Sequence, residues 1–328
     1  MTSERPDESA WRPAASFEAL RLRARLLEAT RSFFLARDVL EVETPLLGRR
    51  GVTDLHLHSL TARCTAVPDL LHLQTSPEYA MKRLLAAGSG DIFQICKAFR
   101  DQERGRRHNP EFTMLEWYRL GLDHHGLMAE AGDLLEQLLT LGGRCLEARE
   151  GTSYTQLFEQ RLGIDPRTCE TSALEALAGP DAPAAAGDRD DLLALLLTRD
   201  IEPHLPPNRL IFVYDYPPSQ AALARLGRDA SNQLVAHRFE AYLDGVELAN
   251  GFWELTDAAE QRARFEDDLV KRRRLGLPTP QPDDRLLGAL AKGLPDCAGV
   301  AVGFDRVAML AAGALRIDDV LAFPVERA

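Results

Sequence analysis

FRDQERGRRHNPEFTMLEWY, residues 99–118, is the stretch whose reading decides the fold. The run before it, Asp91 to Phe99, alternates apolar and other residues like a strand entering a sheet. Phe112 to Tyr118 is rich in aromatic and other strand-forming residues and reads as the strand coming back. The loop between holds Gly105, Asn109, Pro110, His108 and four arginines, Arg100, Arg104, Arg106 and Arg107. Guanidinium groups grip phosphate oxygens in a planar, two-pronged way, so such a hairpin can hold a polyphosphate. The plainer reading of the charge alone is a solvated basic turn.

Arg238 to Leu255 reads as a second hairpin, turning at Asp244-Gly245, a strong two-residue turn signal. Alternation puts Glu240 and Tyr242 on one side of its first strand. Glu247 opens the second strand, with Asn250, Phe252 and Glu254 on one face beyond a kink expected at Gly251. Carboxylates on the inner face of a half-buried sheet need a metal ion or a cationic ligand, because unpaired buried charge costs several kcal/mol. On the outer face they would need nothing. Gly299 to Leu310 reads as a strand, a glycine at 303 and a helix beginning near Asp305. Arg306 then sits on the first helical turn, where free N–H groups favour phosphate.

Toward the N-terminus, Ser16 to Arg37 has the apolar spacing of an amphipathic helix, with Ser16 as N-cap. Val39 to Pro45 reads as a strand ended by proline. Val52 to Leu73 looks like a pair of short strands, and Thr75-Ser76-Pro77-Glu78 leads into a helix. A carboxylate is electrostatically comfortable at that helix start, which alone would explain Glu78. Asp123 to Leu141 is another amphipathic helix. Residues 145–208 read as a small helical insertion with an Ala/Pro/Gly connector at 179–188 and no outstanding catalytic group. Arg209 to Tyr214 is a buried-type strand and Asp215 to Gln220 a turn. Residues 1–15 read as a disordered tail, leaving 16–328 as one catalytic domain.

The composition is that of a globular protein: 328 residues, 45% hydrophobic and 27% charged. No apolar run is long enough for a membrane span, and the charged N-terminus lacks a signal-peptide core. Five scattered cysteines without a C-x-x-C pair fit a reducing, cytoplasmic compartment and argue against a zinc or disulfide framework. His56 and His58 have no further ligands near them in sequence, so a metal site is not expected there. A net charge of −11 favours a small-molecule or protein partner over a large nucleic acid.

The string F-R-x-x-E followed by R-H-N-P-E-F-T-M-L-E-W-Y closely resembles motif 2 of lysyl-type class II aminoacyl-tRNA synthetases. The helix–strand–Pro order at 16–45 is similar to motif 1, and G-V-A-V-G-F-D-R-V-A-M-L to motif 3. The resemblance implies an α+β fold, an antiparallel sheet flanked by helices, with motif 1 at a homodimer interface. It implies that an amino-acid carboxylate attacks the α-phosphorus of ATP, giving an acyl-adenylate and pyrophosphate. Carried over, Arg100 would hold the α-phosphate and Arg306 the γ-phosphate end. Glu240 and Glu247 would hold Mg2+. Asp101, Gln102, His108, Asn109, Leu248 and Gly303 would contact ATP, with Phe112 stacked on adenine. Ser76, Pro77, Glu78, Glu116, Tyr118, Asn250, Phe252, Glu254 and Ala301 would form the amino-acid pocket, Glu254 meeting the distal ammonium.

Three departures from the lysyl-type pattern sharpen the expectation. Motif 1 begins near residue 17, which leaves no room for an anticodon-binding barrel before it. Ala301 replaces the usual glycine of motif 3, which suggests a substrate slightly different from α-lysine. Gln102 replaces the glutamate that meets the adenine amino group, and its amide oxygen can still accept that bond. The first two departures resemble a stand-alone branch of the family that attaches (R)-β-lysine to a lysine of elongation factor P. For that branch the acceptor is a protein and not tRNA. A minimal α-lysine tRNA ligase, a small-molecule amino-acid ligase and a non-catalytic paralogue remain as other readings of the same motifs.

Overall fold

The computed structural model of the protein describes residues 11–179 and 188–328. In chain order the helices are α1 (Phe17–Leu35), α2 (Glu78–Ala86), α3 (His124–Leu141), α4 (Tyr154–Leu162), α5 (Thr171–Ala178), α6 (Arg189–Leu196), α7 (Ala258–Arg274), α8 (Asp284–Gly293) and α9 (Phe304–Ala311). The strands are β1 (Leu40–Glu41), β2 (Leu47–Gly48), β3 (Thr61–Cys64), β4 (Val67–Leu73), β5 (Ile92–Phe99), β6 (Glu111–Leu120), β7 (Ala148–Ser153), β8 (Arg209–Tyr216), β9 (Leu226–Arg228), β10 (Leu234–Leu243), β11 (Val246–Trp253) and β12 (Cys297–Gly303).

The main sheet runs β1-β5-β6-β12-β11-β10-β8-β7, with β9 added beside β10. Its central pairings are antiparallel, as expected. The outer pairs β1–β5 and β7–β8 are parallel, so the sheet is mixed. β2, β4 and β3 form a small second sheet. Against one face of the main sheet pack α1, α3 and α9, burying Phe34, Trp117, Leu134, Leu138, Phe239 and Phe304. Phe34 stacks on Phe93 at 4.5 Å and meets Trp117 edge-on at 5.2 Å, so α1 is locked to the motif 2 hairpin by aromatic packing. The other face is the floor of the cleft.

Local chemistry explains the element ends. Ser16 caps α1, accepting from Ala19 N at 3.1 Å, and Asp123 caps α3, accepting from Gly126 N at 2.8 Å. Asp244 and Gly245 both have positive φ, 51° and 67°, the geometry that a two-residue hairpin of this twist demands. Five free cysteines are present and none is paired with another.

Several expectations need correction. The strand expected at Val39–Pro45 shrinks to Leu40–Glu41: Val42 N still donates to Phe93 O at 2.9 Å, but Pro45 has no N–H to extend the ladder. The insertion does not begin at 145: Ala148–Ser153 is an edge strand of the main sheet, and the helical part follows it. Its expected connector falls mostly on 180–187, outside the described residues, as do residues 1–10 of the expected tail. Residues 11–15 are described, and Ala14 and Ala15 donate to Ala322 O and Leu321 O at 2.8 and 3.1 Å, which ties this segment to the chain end. β8 continues through Asp215 to Tyr216, shortening the expected turn. There is no kink at Gly251. The irregularity is three residues earlier: Ala241 pairs Ala249 and Tyr242 pairs Glu247, leaving Leu248 as the extra residue. That bulge puts Glu247 and Asn250 on one face despite their three-residue spacing. Gly251 is small for a different reason, since a Cβ there would lie 2.4 Å from the Phe239 ring.

Candidate active site

Register builds the site. Residues directly opposite on neighbouring strands share a face. Glu116 of β6 pairs Gln94 of β5 on one side and Ala301 of β12 on the other. Ala301 pairs Asn250 of β11, which pairs Glu240 of β10. A single transverse row therefore carries Gln94, Glu116, Ala301, Asn250 and Glu240 across five strands. The adjacent row on the same face is Ile92, Tyr118, Gly299, Phe252 and Arg238. These rows floor a cavity of about 1420 Å³, walled by α2, the motif 2 turn and the start of α9.

One end of the cavity is acidic. Lys82 is 1% exposed; its Nζ lies 2.7 Å from Glu78 Oε1 and 2.6 Å from Glu254 Oε2. Glu116 accepts from Ser76 Oγ and from the Tyr118 hydroxyl, both at 2.7 Å. Three carboxylates thus surround one ammonium. Burial pushes the Glu116 carboxyl up to about 7, with Glu78 adding repulsion. Burial pushes Glu254 up to about 8, against the pull of Lys82, and Glu78 and Glu116 add to the rise. For Lys82, burial works against the charge but Glu254 and Glu78 outweigh it, so the ammonium is held protonated. The pocket therefore retains protons that a cationic ligand would displace.

The other end gathers phosphate-type ligands. Arg306 Nη1 donates to Glu247 O at 2.8 Å, and its Nη2 lies 2.5 Å from His108 Nε2. Burial, with Arg306 next, lowers the His108 pKa, so its ring is neutral and can accept from Arg306. Arg100 lies over the Phe112 ring at 5.2 Å and has only two weak contacts, 3.4 Å each, to Thr75 O and Glu103. Its donors are thus loosely committed. Leu248 lines the cavity at the bulge, and a Cβ at Gly303 would touch Arg306 only at 3.5 Å.

Mg2+ takes oxygen ligands and binds through one or two carboxylates plus substrate phosphates. Glu247 fits, with its side chain 40% exposed toward the cleft. Glu240 is more committed, accepting from Tyr216 at 2.7 Å and also bound by Arg238 and Tyr242. Burial and then Glu240 raise the Glu247 pKa; burial, Glu240 and Glu247 push Glu202 up to about 7. A divalent cation would relieve that crowding, so the residues present fit the ion.

Not every expected contact lies in the cleft. Asp101 and Gln102 are exposed on the hairpin turn, Asp101 Oδ1 accepting from Gln102 N at 2.9 Å, and Glu103 lines the cleft instead. Asn109 lines it, but its side chain staples the loop: Nδ2 donates to Glu111 O at 2.7 Å and Oδ1 accepts from Val325 N at 3.1 Å. Of the four turn arginines, Arg104 pairs with Asp318 and Glu326, and Arg106 donates to Leu315 O at 3.0 Å. Those two hold the C-terminal segment, and only Arg100 and Arg107 face the cavity. The sequence reading missed Lys82, Glu202, Arg238 and Tyr216. Lys82 stands four residues after Glu78, and Arg238 two before Glu240, so period alone could have found both. Glu202 lies in the insertion, where no pattern marks it.

The family model for class II tRNA synthetases (D, K and N) matches residues 9–327. The chain is 50% identical over 330 residues to the elongation factor P–(R)-β-lysine ligase of Salmonella gallinarum, covering 98% of this chain and 99% of that protein. It is 49% identical, with the same coverage, to the protein of the same name from Salmonella dublin. With the hairpin arginine, the carboxylate-lined floor and the motif 3 helix all brought to one cavity, the chain belongs to the class II tRNA synthetase family of the D, K and N type.

Proposed function

We propose that this protein activates (R)-β-lysine with ATP and transfers it to the ε-amine of a lysine on elongation factor P. The observation that carries the reading is the charge balance of the amino-acid pocket, three carboxylates around one buried lysine. A substrate with two ammonium groups supplies the missing positive charge. Each charge-assisted hydrogen bond it makes contributes roughly 1.5–3 kcal/mol. The names of relatives at about 50% identity over nearly the whole chain support the same substrates.

In the first step a substrate carboxylate oxygen bonds to the α-phosphorus while the bond to pyrophosphate breaks. The nucleophile is already ionised, so positioning and charge neutralisation do the catalysis. Arg100 offers its loosely held guanidinium to the α-phosphate, and Arg306 its own to the far phosphates. Glu247, with Glu240 behind it, would hold Mg2+, which neutralises phosphate charge when bound. In the second step the acceptor amine attacks the acyl carbonyl and AMP leaves. That amine, with an ordinary pKa of about 10.4, must first lose its proton.

A homodimer through the motif 1 region is part of the proposal. Leu35, Leu40 and Leu47 there are 80%, 55% and 47% exposed, more apolar surface than a free edge tolerates well. A cytoplasmic site fits the unpaired cysteines. No helix among the described residues is long and apolar enough to cross a membrane.

Ala301 stands between Glu116 and Asn250 in the transverse row, so its methyl narrows the amino-acid pocket. Ala301→Gly is expected to raise use of α-lysine relative to (R)-β-lysine, and an unchanged ratio in pyrophosphate exchange would remove Ala301 as a selectivity element. The deciding experiment on the unaltered protein is ATP–pyrophosphate exchange with both lysines, followed by acceptor assays with elongation factor P and tRNA. Preference for (R)-β-lysine and mass added to the factor is the expected result. Charged tRNA with α-lysine would replace the proposal by a minimal synthetase, and exchange with neither would end it.

A further inference from the structure

On the face of the sheet opposite the cleft lies a cluster that the adenylation chemistry does not use. His237 neighbours Arg238 on β10, and Trp253 stands between Phe252 and Glu254. Alternation therefore sends both away from the cleft. His124 and His125 open α3, and Asp215 is the penultimate residue of β8. His124 Nε2 lies 3.1 Å from Asp215 Oδ1, and His237 Nδ1 lies 3.6 Å from the same oxygen. Ligand atoms of His124, His125 and Asp215 all fall within 4.8 Å of one another, and no other such group occurs among the described residues.

We propose that His124, His125 and Asp215 form a three-residue site for a divalent transition ion of the zinc class, with His237 beside it. Zinc binds imidazole nitrogen and carboxylate oxygen at roughly 2.0–2.1 Å, which sets tetrahedral edges of roughly 3.3–3.4 Å. The observed His124–Asp215 edge, 3.1 Å, lies close to that value. An Asp–His hydrogen bond alone accounts for the shorter contact only. His237 Nδ1, buried and 3.6 Å from Asp215 Oδ1, is left without a close hydrogen-bond partner. His124 is 3% and His237 9% exposed, so solvent does not satisfy them.

The surroundings keep the set together. A Cβ at Gly227 would sit 1.9 Å from His237 Nε2, so only a glycine on β9 admits this ring with Nδ1 turned toward Asp215. His125 is exposed and rests edge-on against Tyr214 at 5.0 Å. Its ring stacks on His124 at 4.1 Å, tilted by 36°, and must rotate to bring its nitrogen onto a shared ion. Exposure leaves it free to do so and gives the ion an entry path. With three protein ligands, the fourth tetrahedral position is left to water. Asp and His ligands of mixed hardness suit zinc or its neighbours better than magnesium.

The test uses the untagged full-length chain, stripped of metal with a chelator and titrated with Co2+ and then Zn2+. Stoichiometric Co2+ is expected to give the intense visible absorption of a tetrahedral centre, which Zn2+ bleaches. Glu247→Gln is expected to keep that band, which separates the site from the carboxylates of the cleft. His125→Ala, a surface change, is expected to weaken Zn2+ at least about tenfold, since even second-shell losses cost about 10–100-fold. Asp215→Asn is expected to abolish the band. No tetrahedral band in the unaltered protein overturns the proposal, as does a band that survives both His125→Ala and Asp215→Asn. Turnover is not measured, so failure here leaves the ligase reading standing, and failure of that reading leaves this one.

Discussion

Glu254 sits where three carboxylates compete for one ammonium, and its neutral analogue tests what the charge does. Glu254→Gln keeps the shape and removes the anion. Amino-acid KM is expected to rise about 10–100-fold, the loss of one charge-assisted hydrogen bond of roughly 1.5–3 kcal/mol. ATP affinity is expected to stay unchanged, because Arg100 and Arg306 lie at the other end of the cavity. Equal KM values in pyrophosphate exchange would rule Glu254 out as an ammonium ligand. At this scale much of the site was legible. Asn250, Phe252 and Glu254 at alternate positions declared one face, and the family strings named the rest. Lys82 went unread because a lysine in an amphipathic helix ordinarily faces water. Its i,i+4 spacing from Glu78 was the available signal, and the pairing with Glu254, just past β11, is what draws it inward.

Among the elements, β12 is the one with least freedom. Gly299 lies between Tyr118 and Phe252, and a Cβ there would come within 2.3 Å of the Tyr118 ring and 2.5 Å of Glu254 Oε1. Gly299→Ala must displace both. A loss of about 1–3 kcal/mol in unfolding free energy is expected, as for other overpacked cores. Amino-acid activation is expected to fall further than stability does. Denaturant melts paired with exchange rates check this; a variant that activates normally would mean the row is not the substrate floor. The hairpins at β5–β6 and β10–β11 were legible because period-two alternation and Asp-Gly are local signals. The Leu248 bulge was not, because its sequence contains no glycine or proline to mark it and only the cross-strand register reveals it. Equally, Ala148–Ser153 shows weak alternation and becomes a strand through its parallel pairing with β8.

For the whole molecule, the raised carboxyls make ligand-free stability depend on pH in a definite sense. Glu116 and Glu254 hold protons up to about 7 and about 8, above the ordinary 4.5. A raised folded-state value means the fold favours the protonated form. Its contribution is complete below the ordinary carboxylate range and is lost as pH rises through 7–8. Melting temperature without substrate is expected to fall across that window, and amino-acid affinity to climb across it. A ligand-free melt that rises with pH there would contradict the assignment. The sheet order carries a second whole-molecule expectation. β12 is the last strand in sequence, yet it sits between β6 and β11 at the centre. A chain ended before Cys297 is expected to be insoluble and to bind dyes for exposed apolar surface, while a soluble, compact fragment would show that the halves fold alone.

That late, central strand has a consequence for how the protein is made. Every other strand of the sheet is synthesised before β12 begins, and until then β6 and β11 each present an open hydrogen-bonding edge. Folding during synthesis can finish the two flanks but not join them. The nascent chain therefore waits on the ribosome with two sticky borders, a state prone to aggregation and suited to chaperone holding. Catalytic competence is expected only once β12 and then α9, with Arg306, have closed onto the sheet.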